Sequence, residues 1–129
     1  MVIDDSRAIR LILSRTLQKL GFSVQDASNG RQAFELLKRL PDANLPGVIL
    51  VDWNMPEMNG LEFVKLVRSQ PRLSGMLLMM VTTETHVDQM LEALEAGANE
   101  YVMKPFTDEV IADKLRLIGA LPVPVEMPS

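Results

Sequence analysis

Cysteine is absent from this 129-residue chain, and histidine, tryptophan and tyrosine occur once each. The absence of cysteine excludes disulfides, thiol catalysis and thiolate metal sites. No apolar run approaches the ~20 residues that a membrane helix needs, and the amino terminus lacks the features of a signal peptide. The net charge of −4 argues against a basic nucleic-acid surface. We therefore expect a cytoplasmic protein that binds neither membranes nor nucleic acid directly.

Hydrophobic residues make up 47% of the chain, which is enough for one globular domain with a core. Strand-like apolar runs alternate with stretches of helical periodicity. Repeated β-α units predict an α/β fold, a single doubly wound five-stranded parallel sheet with five helices on its faces. The predicted strands cover residues 1–3, 22–27, 47–51, 76–81 and 99–103. The strand order 2-1-3-4-5 is one choice among doubly wound orders, since periodicity alone does not decide it.

Polar side chains follow four of the predicted strands, at the point where each strand ends. Asp4 and Asp5 follow the first strand, Asp52 the third, Thr82 the fourth and Lys104 the fifth. Because the carboxyl ends of parallel strands meet at one edge of the sheet, we expect these side chains to converge. Three close carboxylates repel one another, and a bound divalent cation relieves that repulsion. A site with oxygen ligands alone favours Mg²⁺ or Mn²⁺.

This convergence predicts phosphoryl-transfer chemistry. Asp52, at the end of the middle strand, is the best placed nucleophile and would form an acyl phosphate. Lys104 and the cation could neutralise the phosphoryl group, and Thr82 could donate a hydrogen bond to one of its oxygens. Taken singly, Asp4 and Asp5 could be acids at a helix N-terminus and Lys104 a surface charge. Their joint occurrence at the right strand ends favours the functional interpretation.

Several short motifs resemble the receiver domain of two-component response regulators, and in particular the single-domain, CheY-like chemotaxis regulators. The resemblance covers about residues 1–119 and implies a flavodoxin-like, CheY-like fold, the strand order 2-1-3-4-5 and a cis bond between Lys104 and Pro105. Residues 120–129 contain three prolines and are expected to form a tail or a linker. The motifs are Asp-Asp-Ser at 4–6, Val-Asp-Trp-Asn-Met-Pro at 51–56, Met-Asn-Gly at 58–60, Val-Thr at 81–82, Gly-Ala at 97–98 and Tyr-Val-Met-Lys-Pro-Phe at 101–106.

For the site, the resemblance implies that Asp52 accepts a phosphoryl group from a phosphohistidine of a sensor histidine kinase. Asp5, Asp52 and the backbone carbonyl of Asn54 would bind Mg²⁺, or Mn²⁺, while Asp4 would act largely through water. Asn54 and Glu84 would flank the water that hydrolyses the acyl phosphate, and their polar side chains predict a short-lived phosphoryl state. The protein would be a phosphoacceptor that promotes its own phosphorylation and dephosphorylation, not a turnover enzyme.

The resemblance also implies a switch. Lys104 would contact the phosphoryl group, Thr82 would turn toward it, and Tyr101 would follow from an outward to an inward rotamer. The output surface would be the fourth helix, fifth strand and fifth helix, and its targets would include the kinase and a downstream protein such as the flagellar motor switch. We expect a monomer or a weak dimer. The expected contact residues are Thr85, Met90, Tyr101, Met103 and Lys114.

Four alternatives remain at this point. A receiver domain of a larger regulator, such as a transcription factor or a hybrid kinase, would carry the same motifs, although the pair Trp53-Asn54 favours the CheY-like interpretation. A phosphohydrolase with an aspartyl nucleophile would carry a second acid two residues after Asp52, where Asn54 stands. A flavin-binding protein would need a phosphate loop after the first strand, where Asp4 and Asp5 would repel phosphate. A degenerate receiver would lack reactive groups, all of which are present.

Overall fold

The computed structural model describes residues 1–83 and 86–122. One sheet of five parallel strands runs through them in the order β2-β1-β3-β4-β5, which confirms the predicted fold and strand order. The strands are β1 (Val2–Ile3), β2 (Asp26–Ala27), β3 (Val48–Val51), β4 (Leu77–Thr82) and β5 (Glu100–Met103). The helices are α1 (Arg7–Lys19), α2 (Gly30–Arg39), α3 (Gly60–Ser69), α4 (Val87–Ala96) and α5 (Asp108–Leu117), with a short 3₁₀ helix at Asp42–Asn44.

Local signals in the sequence define the helix ends. The Ser6 side chain accepts a hydrogen bond from the Ile9 N–H at 3.3 Å, and the Thr107 side chain accepts one from the Val110 N–H at 3.2 Å. These bonds satisfy N–H groups that the first turn of a helix leaves unpaired. Gly97 ends α4 with a φ of 118°, a left-handed conformation that favours glycine.

The helices cover both faces of the sheet and create two hydrophobic cores. In β3, Ile49 and Val51 pack into the core that α2, α3 and α4 cover, while Val48 and Leu50 pack into the core that α1 and α5 cover. All four side chains are at most 3% exposed. The strand is therefore buried on both faces, as its continuous apolar run predicts, and its carboxyl end is held rigidly.

Strand β2 is shorter than predicted. The alternating pattern over residues 22–27 indicated a strand, but only Asp26–Ala27 pair with β1. The reason is the length of the neighbouring strand, because β1 comprises only Val2–Ile3. The Val2 N–H still bonds to the Gln25 carbonyl at 2.9 Å, but residues before it have no strand beside them. The prediction was wrong for residues 22–25.

Part of the predicted tail, residues 123–129, lies outside the described residues. Ala120 and Leu121 pack against the core beneath α1 and α5, and the Ala120 N–H donates to the Leu115 carbonyl at 2.8 Å. In the parts of the chain that the structure describes, no helix is long and apolar enough to cross a membrane.

Candidate functional site

Three carboxylates meet where β1 and β3 end, and we call Asp4, Asp5 and Asp52 the acidic cluster. Carboxylate oxygens of the three residues lie within 4.8 Å of one another. The pairing of Ile3 with Val51 brings Asp4 and Asp52 side by side, because they directly follow those partners, and Asp5 is the next residue in the chain. Asp4 and Asp52 are buried, with 1% and 7% exposure, whereas Asp5 faces solvent. Oxygen-only donors at this spacing fit a hard divalent cation such as Mg²⁺.

Lys104 reaches the acidic cluster from the end of β5. Its Nζ lies 2.7 Å from Asp4 Oδ2 and 3.3 Å from Asp52 Oδ2, and its side chain is 13% exposed. The backbone N–H of Lys104 donates to the Thr82 carbonyl at 2.9 Å, which anchors the residue to the end of β4. The Lys104–Pro105 bond is cis, as expected. One ammonium therefore pairs with both buried carboxylates.

The surroundings of Asp52 disfavour its charge. Burial raises the pKa of Asp52 above its ordinary value, and the Asp4 carboxylate acts in the same direction. A hydrogen bond from the buried Thr82 side chain and the positive charge of Lys104 oppose this rise in pKa. The Asn54 N–H also donates to Asp52 Oδ1, at 3.4 Å. Because burial outweighs these opposing contributions, the ionised form of Asp52 is disfavoured, and a divalent cation bound beside it would favour that form.

The turn that carries Asp4 and Asp5 is held from α1. The Ser6 N–H donates to Asp4 Oδ1 at 2.9 Å. Arg10 Nη1 donates to the Asp4 carbonyl at 2.7 Å, and Arg10 Nε donates to Asp26 Oδ2 at 3.0 Å. Reasoning from the sequence missed Arg10. Its place one helical turn after the Ser6 cap permits this contact, but an arginine at that spacing is also typical of an ordinary helix surface.

Helix α3 starts in close contact with the end of β3. The Gly60 N–H donates to the Trp53 carbonyl at 2.9 Å, and a Cβ at Gly60 would lie 2.3 Å from the Asp52 carbonyl oxygen. Asn59 and Glu62 form a capping box at the same point. Glycine is therefore required for α3 to begin this close to Asp52.

The loops that follow β3 and β4 carry further predicted residues. Asn54 is exposed beside Asp52, and Glu57 in the same loop has a φ of 68°. Glu84 and Thr85, which were predicted to tune hydrolysis and to belong to the output surface, lie outside the described residues.

The remaining residues predicted for the switch and output surface are found on three elements. Tyr101 in β5 is buried, with 6% exposure, within the core beneath α2, α3 and α4. Met103, also in β5, is 43% exposed, whereas Met90 in α4 is half-buried against that core. In α5, Lys114 Nζ lies 3.4 Å from Glu100 Oε1. The structure thus brings these residues to one side of the domain but exposes them to different degrees.

Comparison with known proteins accounts for this arrangement. The family model described as "Response regulator receiver domain" matches residues 1–116. The chain belongs to this family. Curated relatives include a chemotaxis protein CheY homolog of Campylobacter jejuni, which is 45% identical over 89% of this chain and 87% of that protein. Chemotaxis protein CheY1 of Helicobacter pylori is 43% identical over 92% of this chain and 94% of that protein.

Solved structures show the same relationship. Chemotaxis response regulator CheY4 of Vibrio cholerae has a TM-score of 0.82 and 37% identity, covering 91% of this chain and 94% of that one. The receiver domain of a signal transduction histidine kinase from Syntrophus aciditrophicus has a TM-score of 0.80 and 26% identity, covering 99% of this chain and 95% of that one. The family predicted from the short motifs is confirmed, and it places the chain in two-component signalling. CheY-like receiver domains take phosphoryl groups from histidine kinases and act on downstream targets, and receiver domains generally bind Mg²⁺.

Proposed function

We propose that this chain is a phosphorylation switch whose phosphoryl acceptor is Asp52. The observation that carries the proposal is the position of Asp52 within 4.8 Å of two other carboxylates and 3.3 Å from Lys104 Nζ. A nucleophilic carboxylate beside a cation-binding acidic cluster and a fixed ammonium has what acyl-phosphate formation requires. The burial of Asp52 keeps competing water away from part of its surface.

In the proposed reaction, an oxygen of Asp52 attacks the phosphorus of a phosphohistidine on a sensor histidine kinase. The new O–P bond forms as the P–N bond breaks, and the imidazole leaves with the electron pair. Lys104 Nζ, which already contacts Asp52 Oδ2, would pair with a phosphoryl oxygen, and the Thr82 hydroxyl would donate to another. Because sensor kinases take their phosphoryl group from ATP, we place the reaction in the cytoplasm.

The acidic cluster would hold Mg²⁺, with Mn²⁺ as a possible substitute. Asp5, Asp52 and the Asn54 carbonyl are proposed as direct ligands, and Asp4 as a ligand through water. When bound, the cation supplies positive charge that offsets the carboxylates and the phosphoryl oxygens. The support for this assignment is the spacing of the carboxylates together with the raised pKa of Asp52, since a bound cation favours the ionised form that burial disfavours.

We also propose that the phosphoryl state is short-lived through hydrolysis that the domain itself promotes. Asn54, exposed beside Asp52, would help to orient the attacking water together with Glu84. Decay should be complete within minutes when the phosphodonor is removed, as followed by electrophoresis that retards phosphoproteins. Decay over hours would contradict this part of the proposal.

The proposed output surface consists of α4, β5 and α5, including Thr85, Met90, Tyr101, Met103 and Lys114. Val87, Leu91 and Leu94 are spaced i, i+4, i+7 along α4, so that they share one face, and are 43–66% exposed. Apolar side chains exposed together mark a contact surface for another protein. Phosphorylation would favour one arrangement of Thr82 and Tyr101 and thereby shift the population of surface conformations.

We propose a chemotaxis role for the domain, residues 1–119, with 120–129 as a tail or linker whose first residues, Ala120 and Leu121, pack against the core. The CheY relatives, at 43–45% identity, support this over the alternative of a receiver belonging to a larger regulator. The alternative is supported by the similarity to the receiver domain of a signal transduction histidine kinase, which covers 99% of this chain but is only 26% identical. Binding of the beryllofluoride-loaded chain to a flagellar motor switch protein separates the two. Met103→Glu should abolish that binding, whereas Leu11→Glu, the same kind of change at an exposed side chain of α1, should not.

Acetyl phosphate with Mg²⁺ tests the acceptor directly. We expect a phosphorylated species on retarding gels and a change in the fluorescence of Trp53, which adjoins Asp52 and is 8% exposed. Both signals should disappear in Asp52→Asn and persist in Asp42→Asn, an exposed carboxylate paired with Arg72. Phosphorylation of Asp52→Asn to the wild-type level would refute the assignment.

A further inference from the structure

We infer that Arg10 is a positioning residue for the metal-binding carboxylates, a role that rests on the proposed function. Arg10 lies in the first turn of α1, and its side chain is 17% exposed. Its Nη1 donates to the Asp4 carbonyl at 2.7 Å, while its Nε donates to Asp26 Oδ2 at 3.0 Å. One guanidinium therefore joins the end of β1, the first residue of β2 and the first turn of α1. Arginine suits this role because its planar group presents several fixed donors at once.

The sheet holds the Asp4–Asp5 turn weakly. Strand β1 has two residues, and the Asp4 N–H bonds to the Ala27 carbonyl at 3.2 Å. Lys104 contacts the Asp4 side chain, but in the proposed reaction its ammonium moves to the phosphoryl group. The Arg10 bond to the Asp4 backbone takes no part in that exchange. Arg10 can thus keep the turn in place whether the site is empty, metal-bound or phosphorylated.

The ion pair with Asp26 determines how Arg10 affects a cation. A lone guanidinium beside the acidic cluster would repel Mg²⁺. Asp26 Oδ2, 3.0 Å from Arg10 Nε, balances that charge, so the pair is close to neutral toward the cluster. Arg10 therefore contributes geometry with little electrostatic opposition to the metal.

Geometry and charge predict opposite results for Arg10→Gln. Removal of the guanidinium leaves Asp26 unpaired, so an effect of charge alone would tighten Mg²⁺ binding. Loss of positioning would instead weaken it, and we expect about a 10-fold rise in the dissociation constant, typical of lost support for metal ligands. The measurement is titration of the full chain with Mg²⁺ alone, followed by Trp53 fluorescence. The double variant Arg10→Gln/Asp26→Asn keeps the pair neutral and should also bind Mg²⁺ more weakly than the wild type.

Two further variants separate positioning from general stability. Arg10→Lys keeps the charge, but a single ammonium cannot span both acceptors, so it should recover only part of the affinity. Arg68→Gln is the matched control, because Arg68 donates to the carbonyls of Gly97 (Nη2, 2.8 Å) and Met76 (Nη1, 2.6 Å) at the opposite edge of the sheet. We expect Arg68→Gln to lower the melting temperature and to leave the Mg²⁺ affinity of the folded protein unchanged.

The possible outcomes distinguish this inference from the proposed function. Wild-type or tighter Mg²⁺ binding by folded Arg10→Gln would overturn the positioning role and leave the switch intact. If Arg10→Gln does not fold, wild-type affinity in Arg10→Lys would overturn it equally. Absence of Mg²⁺ binding by the wild type would overturn both, since the inference depends on the metal site. Weaker Mg²⁺ binding by the Arg10 variants, together with unchanged Mg²⁺ binding by Arg68→Gln, would support the positioning role.

Discussion

Replacing Asp52 by asparagine should stabilise the metal-free protein, although it removes the proposed phosphoryl acceptor. Asp52 is 7% exposed, and its oxygens lie within 4.8 Å of those of Asp4 and Asp5. Burial is the largest cause of the raised pKa of Asp52, and the Asp4 carboxylate adds to it, while the Thr82 hydrogen bond and Lys104, at 3.3 Å, oppose it only in part. The charge of Asp52 therefore costs about 2 kcal/mol, within the ~1–3 kcal/mol typical of a buried polar group that is only partly compensated, and an uncharged amide avoids this cost. In a domain of this size the melting temperature should rise by roughly 5–10 °C.

The same effect predicts how the stability difference depends on pH. The folded state raises the pKa of Asp52 above 3.8, so the folded protein binds this proton more tightly than the unfolded chain. The stability that this proton contributes is fully present below pH 3.8 and is lost as the pH rises through the folded-state pKa. The advantage of Asp52→Asn should therefore be largest near neutral pH and shrink toward zero as the pH falls to about 4.

An exposed carboxylate provides a control with the opposite sign. Asp108 accepts hydrogen bonds from the Thr16 hydroxyl at 2.6 Å and from Lys19 Nζ at 3.4 Å, and these bonds lower its pKa. Its contribution to stability is present above pH 3.8 and is lost as the pH falls through the lowered value, so Asp108→Asn should be less stable than the wild type at neutral pH.

Urea denaturation of the three proteins in the presence of EDTA, followed by circular dichroism across the acid to neutral range, measures both trends. The reasoning is refuted if Asp52→Asn is less stable than the wild type at neutral pH. It is equally refuted if the advantage of Asp52→Asn does not change with pH.

Three further substitutions test the loops and the surface around the site. Glu57→Gly should stabilise the fold by about 1 kcal/mol in urea denaturation, because it relieves a φ of 68°; a loss of stability would contradict this. Gly60→Ala should destabilise it by about 3 kcal/mol, because the new Cβ would lie 2.3 Å from the Asp52 carbonyl oxygen; an unchanged denaturation midpoint would count against that contact. Ile12, 48% exposed, lines an apolar groove of about 500 Å³ beside Lys104. Ile12→Glu should slow phosphoryl transfer from a histidine kinase but not from acetyl phosphate, and equal slowing with both donors would exclude a docking role for the groove.

Those parts of the fold and site that depend on strand ends could be predicted from the sequence. The apolar run of β3 indicated burial on both faces, and parallel strands necessarily bring their carboxyl ends to one edge. Asp4, Asp52, Thr82 and Lys104 each directly follow or end a strand, so the topology alone determines that they converge.

Contacts that depend on the reach of a side chain could not be predicted in this way. An arginine one turn into a helix resembles an ordinary surface charge, and Asp26, the partner of Arg10, is 16 residues away in the chain. Tyr101 shows a similar limit. Its side chain lies in the same core as Ala93 of α4 and is 6% exposed, a degree of burial that the strand pattern does not specify. Such burial depends on how a helix lies across the sheet, which local periodicity does not encode.

The acidic cluster links the proposed function to the stability of the fold. Lys104 compensates the two buried carboxylates only in part in the metal-free state, so a ligand that adds positive charge there should also stabilise the folded protein. At a concentration 100 times the dissociation constant, Mg²⁺ would add about 2.7 kcal/mol, which is close to the cost of about 2 kcal/mol worked out for the charge of Asp52. The wild type at that Mg²⁺ concentration and metal-free Asp52→Asn should therefore melt at similar temperatures. The unfavourable free energy of the buried Asp52 charge in the metal-free domain would favour binding of the cation, and of the phosphoryl group with it, at the end of β3.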